Sequence, residues 1–191
     1  MPSDVSAVNA QQRRPNAADY FVQENLSDGS AITIRAIRPD DKQRIASAFQ
    51  ALEPRSIYSR FLYAKKALSD DELRRLTEID YVEAIVLVAI IQRQNDEIII
   101  GLGRYARSGD SAEVAFTVEE DYQGRGIAGR LLHHLARSAR ENGVLYIEAE
   151  VLAENMPMLA VFRDSGLAMT TRYTDDTVHV TLSLDGSPDV P

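Results

Sequence analysis

Gln123-Gly124-Arg125-Gly126-Ile127-Ala128-Gly129-Arg130 lies between two segments of different periodicity. Before it, Glu113-Val114-Ala115-Phe116-Thr117-Val118 alternates in the manner of a β-strand. After it, Ile127, Leu131 and Leu135 form one apolar stripe with Ala128, Leu132 and Ala139 beside it, which is helical spacing. A glycine-rich turn at a strand–helix junction exposes several backbone N–H groups at the helix start. The helix dipole adds partial positive charge there, so the turn suits a pyrophosphate. Arg125 and Arg130 supply formal charge, and no carboxylate lies between Gln123 and Arg130. No Gly-Lys-Ser/Thr follows, so this is not a Walker loop. G-x-G-x-x-G fits residues 124–129 as letters, but the dinucleotide reading is the weaker one, because Glu141, Glu148 and Glu150 are only loose candidates for a ribose-binding acid.

Working outward, residues 1–28 are rich in Gln, Asn, Asp, Ser and Ala and read as a flexible tail that gains order near Tyr20-Phe21. Asp28-Gly29 is a turn signal, and a strand at 31–38 ends at Pro39. Helices are expected at 40–52 and 55–63, and Ser69-Asp70-Asp71-Glu72 has the form of a capping box that starts a third, running to residue 78. Strands at 84–92 and 97–107 flank Arg93-Gln94-Asn95-Asp96, a hairpin turn by composition. Beyond the glycine-rich loop, a helix at 127–142 closes at Gly143, a strand covers 145–152, and a helix at 155–164 closes at Gly166. A final hairpin uses 167–172 and 178–184, and residues 186–191 read as a second tail. This order is that of one mixed α/β domain, residues 29–185, around a central sheet.

Composition excludes several function classes. The 191 residues carry 29 acidic and 21 basic side chains, formal net charge −8, which argues against nucleic acid as a partner and suits a cationic substrate such as lysine. There is no cysteine, so disulfides, thiolate zinc sites and a cysteine nucleophile are excluded, and no metal is expected. No signal-peptide pattern opens the chain, and the longest apolar run, residues 84–91, is too short to span a bilayer. No membrane association and a cytoplasmic location are therefore expected.

The pattern Q-x-x-G-x-A at residues 123–128 resembles the acetyl-CoA-binding motif of the GNAT superfamily of N-acetyltransferases. A second block, Asn155-Met156-Pro157-Met158-Leu159-Ala160-Val161-Phe162-Arg163-Asp164-Ser165-Gly166-Leu167, resembles the family segment N-x-x-A-x-x-L-Y-x-x-x-G-F. Arg55-Ser56-Ile57-Tyr58-Ser59-Arg60-Phe61-Leu62, Leu68-Ser69-Asp70-Asp71-Glu72-Leu73 and Ile79-Asp80-Tyr81 resemble the GNAT domain of bacterial Pat-type protein-lysine acetyltransferases, which acetylate acyl-CoA synthetases. The resemblance covers roughly residues 30–185. It implies a central, mostly antiparallel sheet flanked by helices. It also implies acetyl-CoA as cosubstrate and a protein lysine, such as one on an acyl-CoA synthetase, as acceptor.

The resemblance further implies site residues. Gln123, Gly124, Arg125, Gly126, Ile127, Ala128, Gly129 and Arg130 would hold the pyrophosphate, and the backbone of Phe116 and Val118 the pantetheine arm. Asn155 would bond the cofactor arm or cap a helix, the two being equally expected. Glu113, at the start of the strand leading into the loop, would be the general base, with Glu148 and Glu150 in reserve. Phe162 departs from the pattern: many relatives have a tyrosine here that protonates the leaving thiolate, and Ser165 or Tyr122 would have to substitute if solvent does not. His133 and His134 read as surface residues. Two other functions remain open: acetylation of a small-molecule amine, and a non-catalytic acetyl-CoA-binding module.

Overall fold

A computed structural model describes residues 17–94 and 96–185. Eight strands form one sheet in the order β1-β2-β3-β4-β5-β6-β8-β7. They are β1 (Phe21–Asn25), β2 (Ala31–Ala36), β3 (Ala84–Arg93), β4 (Asp96–Ser108), β5 (Ser111–Val118), β6 (Tyr146–Leu152), β7 (Ala168–Thr174) and β8 (Thr177–Ser183). Every neighbouring pair is antiparallel except β5–β6. The helices are α1 (Lys42–Ala51), α2 (Pro54–Phe61), α3 (Asp70–Thr77), α4 (Ile127–Glu141) and α5 (Met156–Arg163). The parallel pair is joined by the crossover helix α4, the connection such a pair requires.

Two apolar layers cover the sheet. On one face Ile45 and Leu73, from α1 and α3, pack on Val86, Val88, Ile90 and Ile99. On the other, Ile127, Leu131 and Leu135 of α4 and Phe162 of α5 pack on Ile85, Leu87, Val114 and Ile147. The alternation of β3 fits both layers at once, which is why residues 84–91 read as a continuous apolar run. The capping box at Ser69 forms as expected: its Oγ accepts from the Glu72 N–H, and the Glu72 carboxylate accepts from the Ser69 N–H.

The tail expected through residue 28 is shorter than the sequence indicated. Residues 17–19 make a 3-10 turn, and β1 pairs along its whole length with β2. Only residues 1–16 of that segment, and 186–191 at the other end, lie outside the described residues, as does Asn95 of the expected turn. Two polar networks tie the N-terminal elements down. Arg35 of β2 is 1% exposed and meets Asp41 through two hydrogen bonds of 2.7 and 2.8 Å and Glu97 at 2.6 Å. His134 of α4 joins Tyr20 at 2.6 Å and Glu24 of β1 at 2.8 Å. His134 is therefore buried, contrary to the surface reading, whereas His133 is exposed. Among the described residues no helix is long and apolar enough to cross a membrane.

Candidate functional site

β5 pairs with β4 along its full length, from Gly101↔Val118 to Ser108↔Ser111. β6 pairs equally fully with β8. Between β5 and β6, however, the ladder holds only Ser111↔Tyr146, Ala112↔Ile147 and Glu113↔Glu148. Past that point the strands part, and residues 114–118 and 149–151 become opposite walls of a cleft of about 1140 Å3. Backbone N–H and C=O groups on the diverging edges are left to bond whatever extended molecule enters.

The glycine-rich loop closes the open end of this fork. Glu119 N–H donates to the Ile100 carbonyl at 3.0 Å, and a 3-10 turn follows at Glu120–Tyr122. Gly126, at φ +81, is the N-cap of α4, and no side chain caps the helix there. The N–H groups of the first turn are thus available to an anion at the cleft wall formed by Gly126, Ile127, Ala128 and Gly129. Gln123 fixes the loop from its side chain, donating to the Val118 carbonyl at 3.0 Å and to Ser56 Oγ of α2 at 3.3 Å. A second tie joins the same elements: Glu53 N–H donates to Glu120 at 2.9 Å.

Eleven of the twelve residues picked out from sequence wall the cleft: Glu113, Phe116, Val118, Gln123, Gly124, Gly126, Ile127, Ala128, Gly129, Arg130 and Asn155. Arg125 does not. Its guanidinium lies over the Tyr122 ring at 5.1 Å and pairs with Asp28 at 3.1 Å. Arg130 is also engaged, with Glu24 at 3.0 Å and the Asn25 carbonyl at 3.0 Å, so β1 holds the charge at the start of α4. Asn155 is the N-cap of α5, its Oδ1 accepting from Met158 N–H at 3.2 Å, and it borders the cleft as well. Phe162 is 1% exposed and packs edge-on against Phe116 with centroids 6.1 Å apart. Ser165 Oγ is already committed, donating to the Phe162 carbonyl at 2.6 Å.

The carboxylates differ in occupancy. Glu148 accepts from Ser111 Oγ at 2.9 Å, and Glu150 is held by His179 at 2.7 Å. Glu113 stands at the fork, exposed, and has no hydrogen bond or ion pair among the described residues. Residues registered across strands share a face, so Glu113, Ala115 and Thr117 look toward α1–α3, and Val114, Phe116 and Val118 toward α4. Sequence reasoning assigned no site role to Glu24 or Arg60, both of which wall the cleft. Glu24 lay in a stretch read as a tail. Arg60 was inside a recognised motif block but carried no chemical signal of its own.

Comparison with known proteins agrees with this fold. Residues 51–167, more than half of the chain, match the profile of the acetyltransferase (GNAT) family. The acetyltransferase PA5475 of Pseudomonas aeruginosa is 33% identical over 142 residues, 73% of this chain and 76% of that protein. The acetyltransferase Pat of Mycolicibacterium smegmatis is 32% identical over 154 residues, 74% of this chain but only 45% of that protein, so the chain spans under half of its length. The crystal structure of the GNAT domain of S. lividans PAT superposes with a TM-score of 0.79 at 34% identity, covering 85% of this chain and 96% of that one.

Proposed function

Because the chain belongs to the GNAT family of acetyltransferases, we propose that it transfers the acetyl group of acetyl-CoA directly to a lysine ε-amine of a protein, with Glu113 as general base. The observation that carries the reading is the unpaired Glu113 carboxylate at the fork where β5 and β6 separate. The pantetheine arm lies along the diverging edges near Phe116 and Val118, and its pyrophosphate meets the uncapped first turn of α4. The thioester then sits near the closed end of the fork, within reach of Glu113.

A lysine of ordinary pKa near 10.4 is neutral in only about one molecule in 2,500 at pH 7, a deficit of about 4.6 kcal/mol. Glu113 answers this by accepting the amine proton, directly or through a water, as the N–C bond forms. Backbone N–H groups of the parted strand stabilise the oxyanion. The C–S bond then breaks and the CoA thiolate leaves. With Phe162 where a hydroxyl would protonate it, the thiolate takes its proton from solvent, which a thiol pKa near 8.5 permits. No enzyme-bound acyl intermediate is needed. The Pat-like blocks of the N-terminal half support a protein acceptor, an acyl-CoA synthetase being the first candidate.

Intact-mass analysis of an acyl-CoA synthetase incubated with acetyl-CoA and this protein tests the reading. Wild type is expected to add acetyl groups, and Glu113→Gln to slow the addition about 100-fold or more while binding acetyl-CoA unchanged. Adducts formed equally fast by Glu113→Gln would move the base elsewhere. Absence of adducts from wild type would remove the synthetase as acceptor.

A further inference from the structure

Two arginines stand beside Glu113 without a carboxylate at ion-pair distance among the described residues. Arg104 of β4 is registered with Ala115. Glu113, two residues before Ala115, is therefore its diagonal neighbour on the same sheet face, about 7–8 Å away at the backbone. Arg60 reaches this face from α2 and borders both the main cleft and a second cavity of about 290 Å3 beneath α1, α2 and α3. Arg104 borders that cavity too, and its Nε–H is buried without an acceptor. Neither guanidinium has an ion-pair partner among the described residues; Arg60 only lies over the Phe61 ring at 5.0 Å. Burial and the neighbouring Arg104 charge pull the Arg60 pKa down, with Glu113 opposing. Glu119 also borders the cavity with an unpartnered oxygen, but it is paired to Ile100, four ladder positions from Arg104, about 13 Å along the strand.

Half-buried guanidiniums with Glu113 beyond ion-pair distance suit a bound anion, since a buried donor left unmatched is costly. The face is moreover polarised. Arg104 lies to the β4 side of Glu113, with Arg60 near it across the smaller cavity, and Glu148, registered with Glu113, lies to the β6 side with Glu150 beyond. An acceptor whose ammonium approaches Glu113 would find acidic groups on one flank and two guanidiniums on the other.

We propose that Arg60 and Arg104 bind a carboxylate that the acceptor carries close to its reacting amine. The inference rests on Glu113 being the residue that receives the amine. Guanidinium groups match a planar carboxylate through paired N–H donors, which makes the contact a selector of acceptors as well as a source of affinity. The carboxylate has two sources: the α-carboxylate of a free amino acid, or an Asp or Glu side chain next to the acceptor lysine.

The test measures acetyl transfer by the full chain to acceptors that differ only in this group. One pair is L-leucine and L-leucinamide; the other is acetyl-Lys-Asp-amide and acetyl-Lys-Asn-amide. At least one acid is expected to exceed its amide about tenfold or more in kcat/KM, mainly through KM, and the pair showing the preference identifies the source. Arg104→Gln should reduce that preference to less than about twofold, and Arg60→Lys, which keeps the charge but loses the planar fork, should retain part of it. Equal kcat/KM for acid and amide in both pairs overturns the proposal and leaves the transfer reaction standing. A preference that survives both Arg104→Gln and Arg60→Gln overturns it as well. Calorimetric titration of the acetylated products onto the CoA-loaded protein reads the contact without turnover. Tighter binding of an acid product than of its amide, lost in Arg104→Gln, supports the carboxylate site even if no acceptor is acetylated, an outcome that would sink the transfer reading alone. Equal binding, or none, sinks the carboxylate site.

Discussion

Gly126 and Gly124 show at the residue scale why the loop is written in glycine. Both lie at left-handed φ, +81 and +73. A Cβ on Gly124 would meet nothing within 4 Å, whereas one on Gly126 would stand 2.8 Å from Arg130 Nη1. Arg130 is pinned by Glu24 and the Asn25 carbonyl, so it yields only by breaking those contacts. Gly124→Ala should therefore lose about 1–2 kcal/mol of stability from backbone strain alone. Gly126→Ala should lose more, and should also weaken acetyl-CoA binding by displacing the first turn of α4. Denaturation midpoints and calorimetric acetyl-CoA titration of the two variants check the ordering; equal losses would mean that the Arg130 contact contributes nothing. The glycines of the loop were legible because their spacing is a pattern. Gly101 and Gly103 were not, being scattered letters in a strand. Their meaning is tertiary: a Cβ on Gly103 would meet Leu135, Phe116 and Leu131 at 3.1–3.2 Å, so the sheet is bare there to let α4 lie close.

At the scale of elements, periodicity carried most of the reading. Most of the helices, and the strands from β2 onward except the edge strand β7, were signalled by apolar spacing, a capping box or a closing glycine, because each buries residues of its own. β1 failed that test. Phe21-Val22-Gln23-Glu24-Asn25 is an edge strand with no buried residue, and what holds it is pairing with β2 and the Tyr20–His134–Glu24 network, both set by residues far away in sequence. The same network makes a pH prediction. Burial pulls the His134 pKa below its ordinary 6.5, against the opposing pull of Glu24, with His133 and Arg137 adding to the decrease. The unfolded chain therefore takes up a proton at higher pH than the folded one, and stability falls as pH drops below about 6.5, by up to about 1.4 kcal/mol per pH unit until the folded imidazole also titrates. Urea unfolding between pH 7.5 and 5 should show this slope in wild type and a shallower one in His134→Gln. Identical slopes would place the acid sensitivity elsewhere.

For the whole molecule, the divided sheet is the dominant feature. On their inner edges residues 114–118 and 149–151 face a cleft rather than a neighbouring strand, so a ligand that fills the fork stabilises the fold as well as occupying the site. Acetyl-CoA at 100 times its Kd should add about 2.7 kcal/mol. For a chain of this size that raises Tm by about 5–10 °C. Amide hydrogen exchange should slow at the cleft-facing residues of β5 and β6 more than in β2 or β3; uniform slowing across the sheet would argue against insertion into the fork. The family and the glycine-rich loop were readable in sequence because their motifs are local. The fork was not, because a three-pair ladder between Ser111–Glu113 and Tyr146–Glu148 leaves no mark on either strand's own residues.

The fork also orders events in time. Residues 21–118 build one wall as β1 to β5, and residues 146–183 build the other as β6 to β8. Each half closes its other ladders within itself, so in a chain made from its N-terminus the seam between them forms only after β1 to β5 are complete and β6 has followed. While β5 is already on the sheet and β6 is still to arrive, the nascent protein presents the glycine-rich loop beside a cleft with one side. The two-walled cleft thus appears in a single step, when β6 docks, and a half-made chain has no partial version of it.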